Sequence, residues 1–267
     1  MEKKMELQNK KLFLLDMDGT IYLDTDLFDG TLDFLSEVKS KGAKYLFLTN
    51  NSSKSASSYV KKLVGIGIES TEEEFLTSTY ATILYIKEKY QGRKFYSIGT
   101  TSFTAELRDA GIDVVTELCD GIDGIIMGND NELTFKKLED ACKLLLNDII
   151  YIATNPDWVC PTSFGYVPDC GSFAEMLFRA TGKRPKFIGK PEPAMIELAL
   201  EKFGYEKEEA VMIGDRLYTD IASGYNAGID TIFVLSGEGT LKDLEESDVK
   251  PTYVFENIRE VYNKIKE

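Results

Sequence analysis

Short apolar runs closed by an acid, an amide or a glycine alternate along the chain with segments whose apolar residues fall at helical spacing. The first run, Lys11 to Leu15, is followed by Asp16-Met17-Asp18-Gly19-Thr20. An uninterrupted apolar segment of this kind reads as a strand buried on both faces, as in parallel sheets. Thr31 to Lys41 carries Leu32, Leu35 and Val38 at helical spacing and stops at Gly42, and Lys44 to Thr49 is again a strand. Together they predict a β-α-β unit with parallel strands and a right-handed crossover. Asn50-Asn51-Ser52-Ser53 then opens a helix to about Val64, with amide and hydroxyl caps at an end that also suits an anion.

The pattern begins afresh between about Thr79 and Gly182, with strands near Lys94–Ile98, Gly124–Met127 and Ile149–Ala153 and helices near Phe103–Ala110 and Thr134–Leu146. An irregular stretch, Thr154 to Gly171, holds Pro156, Pro161, Gly165 and Pro168 and is too long for a plain connection. Its Asp157, Trp158, Phe164, Tyr166 and Asp169 are candidates for substrate contact, or equally members of a well-packed surface loop. The first pattern then returns: strand Lys186–Ile188, helix Pro193–Phe203, strand Ala210–Ile213, helix Tyr218–Ala227 closed by Gly228, strand Thr231–Leu235, and a helical tail from Phe255 to Ile265. The fold class is α/β throughout.

In open α/β sheets ligands sit beyond the carboxyl ends of the strands, which is where Asp16 and Asp18 fall. An Asp-Gly pair is also a turn former, so the two acids alone leave a plain turn open. Two carboxylates two positions apart on a strand share a face and repel, and a hard cation such as Mg²⁺ relieves that.

Composition narrows the chemistry. Acids outnumber bases 45 to 31, a formal charge of -14, which argues against a nucleic-acid backbone or an anionic membrane as partner. A phosphate ligand would then need local positive charge. Histidine is absent, which removes Ser/His/Asp and Cys/His nucleophilic systems and histidine-ligated zinc. Cys119, Cys142, Cys160 and Cys170 form no C-x-x-C pair and read as reduced and structural. The segment Met1 to Lys10 lacks an apolar signal region, and no apolar stretch approaches the roughly 20 residues that span a bilayer, so a cytoplasmic protein is expected.

Three further segments fall at predicted strand ends: Thr49-Asn50-Asn51, Gly189-Lys190-Pro191 and Gly214-Asp215-Arg216-Leu217-Tyr218-Thr219-Asp220. With Asp16-Met17-Asp18-Gly19-Thr20 they resemble, in order, the four motifs of the haloacid dehalogenase-like (HAD) superfamily, and more closely its 4-nitrophenylphosphatase and NagD-type branch. That resemblance implies a Rossmann-like parallel sheet with helices on both faces, formed by residues 1–78 and 183–267, and an inserted α/β cap over residues 79–182 that closes on the substrate. It implies a Mg²⁺-dependent phosphomonoester hydrolase acting on small phosphorylated metabolites. Asp16 would be the nucleophile that forms an aspartyl-phosphate, and Asp18 the acid-base. Thr49, Asn50 and Lys190 would bind the phosphoryl group. Asp16, Asp215 and the Asp18 backbone carbonyl would hold the metal, with Asp220 behind them or at a secondary metal position. A phosphotransferase or mutase using the same intermediate, and a non-catalytic phospho-ligand binder, are the alternatives; a homodimer through the cap is compatible with the resemblance.

Overall fold

The computed structural model describes residues 6–162 and 164–267. In chain order the strands are β1 (Leu12–Leu15), β2 (Tyr22–Leu23), β3 (Asp26–Leu27), β4 (Lys44–Thr49), β5 (Phe75–Thr77), β6 (Lys94–Ile98), β7 (Asp113–Val115), β8 (Gly124–Met127), β9 (Ile150–Ala153), β10 (Val159–Thr162), β11 (Gly165–Pro168), β12 (Lys186–Phe187), β13 (Ala210–Gly214), β14 (Asp230–Val234) and β15 (Tyr253–Phe255). The helices that matter most below are α1 (Thr31–Ser40), α2 (Ala56–Gly65), α3 (Ser78–Lys89), α4 (Thr101–Asp109), α5 (Phe135–Leu144) and α6 (Cys170–Thr181). The chain divides into two compact units, one of Met1–Thr49, Val60–Leu76 and Lys190–Glu267, the other of Asn50–Tyr59 and Thr77–Gly189.

The first unit is built on a six-stranded sheet in the order β15-β14-β13-β1-β4-β5, with helices on both faces. Its described pairings are parallel, and β1 lies between β13 and β4. A strand flanked on both sides and covered on both faces has no wet position, which is why Leu12, Phe13, Leu14 and Leu15 are at most 3% exposed. From β1 the chain builds outward through β4 to one side and later returns through β13 on the other, so the strand order reverses between β1 and β13. This is the topological switch point at which a crevice opens beyond the strand ends. The chain's tail packs on this unit as a capped amphipathic helix, Ile258–Lys266: the Asn257 side chain accepts from the Glu260 N–H at 3.2 Å, and Ile258, Val261 and Ile265 bury one stripe.

The second unit carries its own five-stranded sheet, β12-β9-β8-β6-β7, parallel at every pairing. Tyr96, Ile98, Ile125, Met127 and Ala153 of that sheet pack with Ala141 of α5 and Phe173, Ala174 and Leu177 of α6. The strand at Lys186 pairs with β9 here; it does not join the first sheet as the returning pattern suggested. At two residues it is too short for composition to assign it a sheet, and hydrogen-bond geometry decides. The irregular stretch contains an antiparallel hairpin, β10–β11, a two-stranded ribbon where the missing N–H groups of proline are tolerated. The four cysteines are free. Burial pushes the Cys170 thiol up to about 12, which leaves it unreactive. No helix among the described residues is long and apolar enough to cross a membrane.

Candidate active site

The sheet ladder runs one residue past β1: the Asp16 N–H donates to the Ile213 carbonyl at 2.9 Å and fixes Asp16 at the switch point. The Lys190 ammonium lies 2.6 Å from Asp16 Oδ1, 2.6 Å from Asp220 Oδ1 and 3.0 Å from the Leu48 carbonyl. An ammonium carries three donors, and these three acceptors come from the ends of β1 and β4 and from the helical turn that follows β13. Lys190 is 2% exposed, and although burial opposes its charge, Asp16 and Asp220 outweigh that and hold its pKa above the usual lysine value.

Asp215 follows β13, and Asp220 sits on the π-helical turn Leu217–Ile221. Asp220 Oδ2 accepts from the Arg216 N–H at 3.1 Å, so both of its oxygens are engaged. Asp215 Oδ2 accepts from the Glu238 N–H at 2.7 Å, and the Asp215 carbonyl accepts from the Gly239 N–H at 3.0 Å. Glycines permit this crowding. A Cβ on Gly214 would lie 2.2 Å from Asp220 Cβ, and one on Gly19, whose φ is +91°, would lie 2.5 Å from Asp215 Oδ2.

Asp16, Asp215 and Asp220 each offer an oxygen within 4.8 Å of the others. Burial raises the Asp16 carboxyl well above the ordinary range, with the Asp220 charge adding to it, and the same two causes push Asp215 up to about 7. Three clustered carboxylates facing one ammonium leave negative charge without full compensation. An all-oxygen donor set of this kind suits a hard divalent cation.

Asp18 goes elsewhere. β1 ends at Leu15, so the alternation expected to put Asp16 and Asp18 on one face does not reach Asp18, which forms an isolated bridge with Tyr22 at the head of the following turn. Its Oδ1 is 3.2 Å from the Lys62 ammonium and its Oδ2 accepts from the Tyr22 hydroxyl at 3.1 Å. Thr49, the last residue of β4, is 6% exposed.

In the second unit Asn50 donates its side-chain amide to Asp157 Oδ1 at 3.1 Å, and its carbonyl accepts from Ser78 and Asn155. Asp157 is 5% exposed, and Asp169 caps α6 by accepting from the Cys170 N–H. Both acids make hydrogen bonds within the second unit. Trp158, Phe164 and Tyr166 are exposed.

A family profile described as haloacid dehalogenase-like hydrolase matches residues 13–113, and a second, HAD-hydrolase-like, matches residues 187–261. An acid sugar phosphatase of Staphylococcus aureus is 37% identical over 95% of this chain and 97% of its own length. The chain belongs to the haloacid dehalogenase-like hydrolases. Among solved structures, this hydrolase superposes on the 4-nitrophenylphosphatase of Thermotoga maritima with a TM-score of 0.91 and 40% identity, over 96% of this chain and 98% of that one. It also superposes on a glycerol phosphate phosphatase of Mycobacterium tuberculosis in complex with magnesium, with a TM-score of 0.91 and 27% identity over 99% and 80% of the two chains.

Sequence reasoning did not single out Lys62, Tyr22 or the Ser236–Gly239 loop of this hydrolase. Tyr22 stands four residues after Asp18, a spacing that becomes meaningful only once the turn brings it back. Lys62 is one of many lysines on helix surfaces. The loop acts through backbone N–H groups, which carry no side-chain signature.

Proposed function

We propose that this hydrolase is a divalent-metal-dependent phosphomonoesterase that acts on small phosphorylated metabolites, sugar phosphates among them, through an aspartyl-phosphate on Asp16. The observation that carries the reading is the 2.6 Å approach of Lys190 to Asp16 at the switch point, beside Asp215 and Asp220. A pure binder gains nothing from a carboxylate held at that place. Lys190 keeps an anionic nucleophile usable against an anionic ester by cancelling charge between them.

In this reading an Asp16 oxygen bonds to phosphorus as the ester P–O bond breaks, and Asp18 passes a proton to the departing oxygen. Asp18 then takes a proton from the water that attacks phosphorus, which releases inorganic phosphate and restores the Asp16 carboxylate. The Thr49 hydroxyl is proposed to donate to a phosphoryl oxygen, with Asn50, next in the chain, as a second donor. Asp16, Asp215 and the Asp18 carbonyl would hold the cation, proposed as Mg²⁺, with Asp220 kept behind them by Lys190 and Arg216. When bound, the cation supplies the positive charge that these carboxylates lack. Support for the metal comes from the charge imbalance of the cluster and from the magnesium complex of the mycobacterial phosphatase. The inserted unit is proposed to choose the substrate, with Trp158, Phe164 and Tyr166 as candidates for contact with the non-phosphate portion.

The experiment is phosphate release from 4-nitrophenyl phosphate and a panel of sugar phosphates, with Mg²⁺ and with chelator. Metal-dependent turnover that includes sugar phosphates is expected. Absence of turnover on every ester would overturn the reading, and phosphoryl movement to an alcohol without net phosphate release would replace it with a transferase.

A further inference from the structure

We propose that Lys62 is a positioning residue that, with Tyr22, orients the carboxyl group of Asp18 for proton delivery to the leaving group. The inference rests on the acid-base role given to Asp18 above.

Asp18 is not held by a strand. It lies in the turn after β1, where the Thr20 and Ile21 N–H groups both donate to the Met17 carbonyl and the Gly19 N–H donates to the Tyr22 carbonyl at 2.8 Å. Its side chain is 37% exposed, so packing alone does not fix its two side-chain torsions. The fixing comes from two directed donors, one on each oxygen: Lys62 Nζ on Oδ1 at 3.2 Å and the Tyr22 hydroxyl on Oδ2 at 3.1 Å. The donors are themselves tied together, since Lys62 Nζ lies 4.0 Å from the centroid of the Tyr22 ring. Tyr22 is fully buried, and it serves as the reference surface against which the lysine is set. As a stabilising ion pair this contact ranks low, because partly exposed pairs contribute little. Its geometric consequence is larger. A proton donor misplaced by about 1 Å can lose about 100-fold in rate.

The two roles leave different kinetic marks. Proton delivery matters in proportion to the basicity of the departing oxygen: an alkoxide needs it as the P–O bond breaks, whereas 4-nitrophenolate departs with little help. The parameter kcat/KM reports steps up to formation of the aspartyl-phosphate, so it isolates the acid role from the later water-activating one. Removing the lysine's charge weakens attraction for the shared phosphoryl group of any ester equally, so it cancels in the ratio of two substrates.

The test measures kcat/KM on an alkyl phosphate and on 4-nitrophenyl phosphate for wild type, Lys62→Met, Lys62→Arg, Tyr22→Phe and Asp18→Asn. The account predicts that Lys62→Met lowers the alkyl-to-aryl ratio by about tenfold or more, within the range a misplaced acid allows. Lys62→Arg, which keeps a donor for Oδ1, recovers most of that ratio, Tyr22→Phe shifts it in the same direction, and Asp18→Asn lowers it furthest. An unchanged ratio in Lys62→Met beside a lowered one in Asp18→Asn would overturn the positioning role and leave the acid assignment standing. An unchanged ratio in Asp18→Asn would overturn the acid assignment, and the inference with it.

Discussion

Lys190 and Asp16 stand 174 residues apart in the chain and 2.6 Å apart in the fold, and their contact links the first and last segments of the first unit at the point where its strand order reverses. Lys190 also spans to Asp220, so one buried ammonium serves two carboxylates. Lys190→Met is expected to cost about 3–5 kcal/mol in stability, as removal of one partner from a buried ion pair does, moderated by protonation of the stranded carboxyls. Turnover should fall at least about 100-fold from loss of charge stabilisation. Urea unfolding and phosphate release measure the two effects separately.

Binding of a divalent cation should stabilise the folded chain by relieving repulsion among Asp16, Asp215 and Asp220. At a hundredfold excess over Kd the gain is about 2.7 kcal/mol, readable as a rise in the thermal midpoint that chelator reverses. Asp215→Asn should lose most of the metal-induced rise. An undiminished rise in that variant would place the cation elsewhere.

Much of the architecture was legible in the sequence because burial on both faces writes an uninterrupted apolar run. β4, β6 and β8 appear with the predicted limits for that reason, and β1 nearly so. The strands that escaped are short or half wet, and the helices Ser78–Lys89 and Cys170–Thr181 also went unread. β15 is a three-residue edge strand of partly exposed residues, so Phe255 read as the start of the following helix. β2 and β3 have two residues each, and β12 reveals its sheet only by its partner. The same division holds at the site. Asp16, Lys190, Asp215 and Asp220 come together as acids and a lysine at strand ends should, whereas Asp18 turns to partners that no spacing announced.

Gly19 is held at φ +91° with Asp215 where its Cβ would stand. Gly19→Ala should therefore combine backbone strain of about 1–3 kcal/mol with displacement of Asp215. The expected outcome is lower stability in urea together with weaker metal binding by calorimetry. Stability loss with unchanged metal affinity would show that Asp215 does not move.

Glu106 on α4 lies far in sequence from the acid cluster and is pushed up to about 7 by burial, from an ordinary 4.5. Its folded-state pKa is raised, so the folded chain holds this proton more tightly than the unfolded one. Below about pH 4.5 both states are protonated and burial carries no charge penalty. As pH rises from there through about 7 that advantage is lost, and above it the loss is constant. Glu106→Gln should accordingly raise stability above pH 7 and leave it nearly unchanged below pH 4.5, as denaturant midpoints across pH would record.

Attack by Asp16 on phosphorus is the step on which the proposed reaction depends. Steady-state release of 4-nitrophenolate by Asp16→Asn, with Mg²⁺ saturating and folding verified by thermal unfolding, tests it most directly. Removal of a covalent nucleophile is predicted to abolish turnover, a loss of at least about 1000-fold. Turnover by that variant within tenfold of wild type would contradict the account.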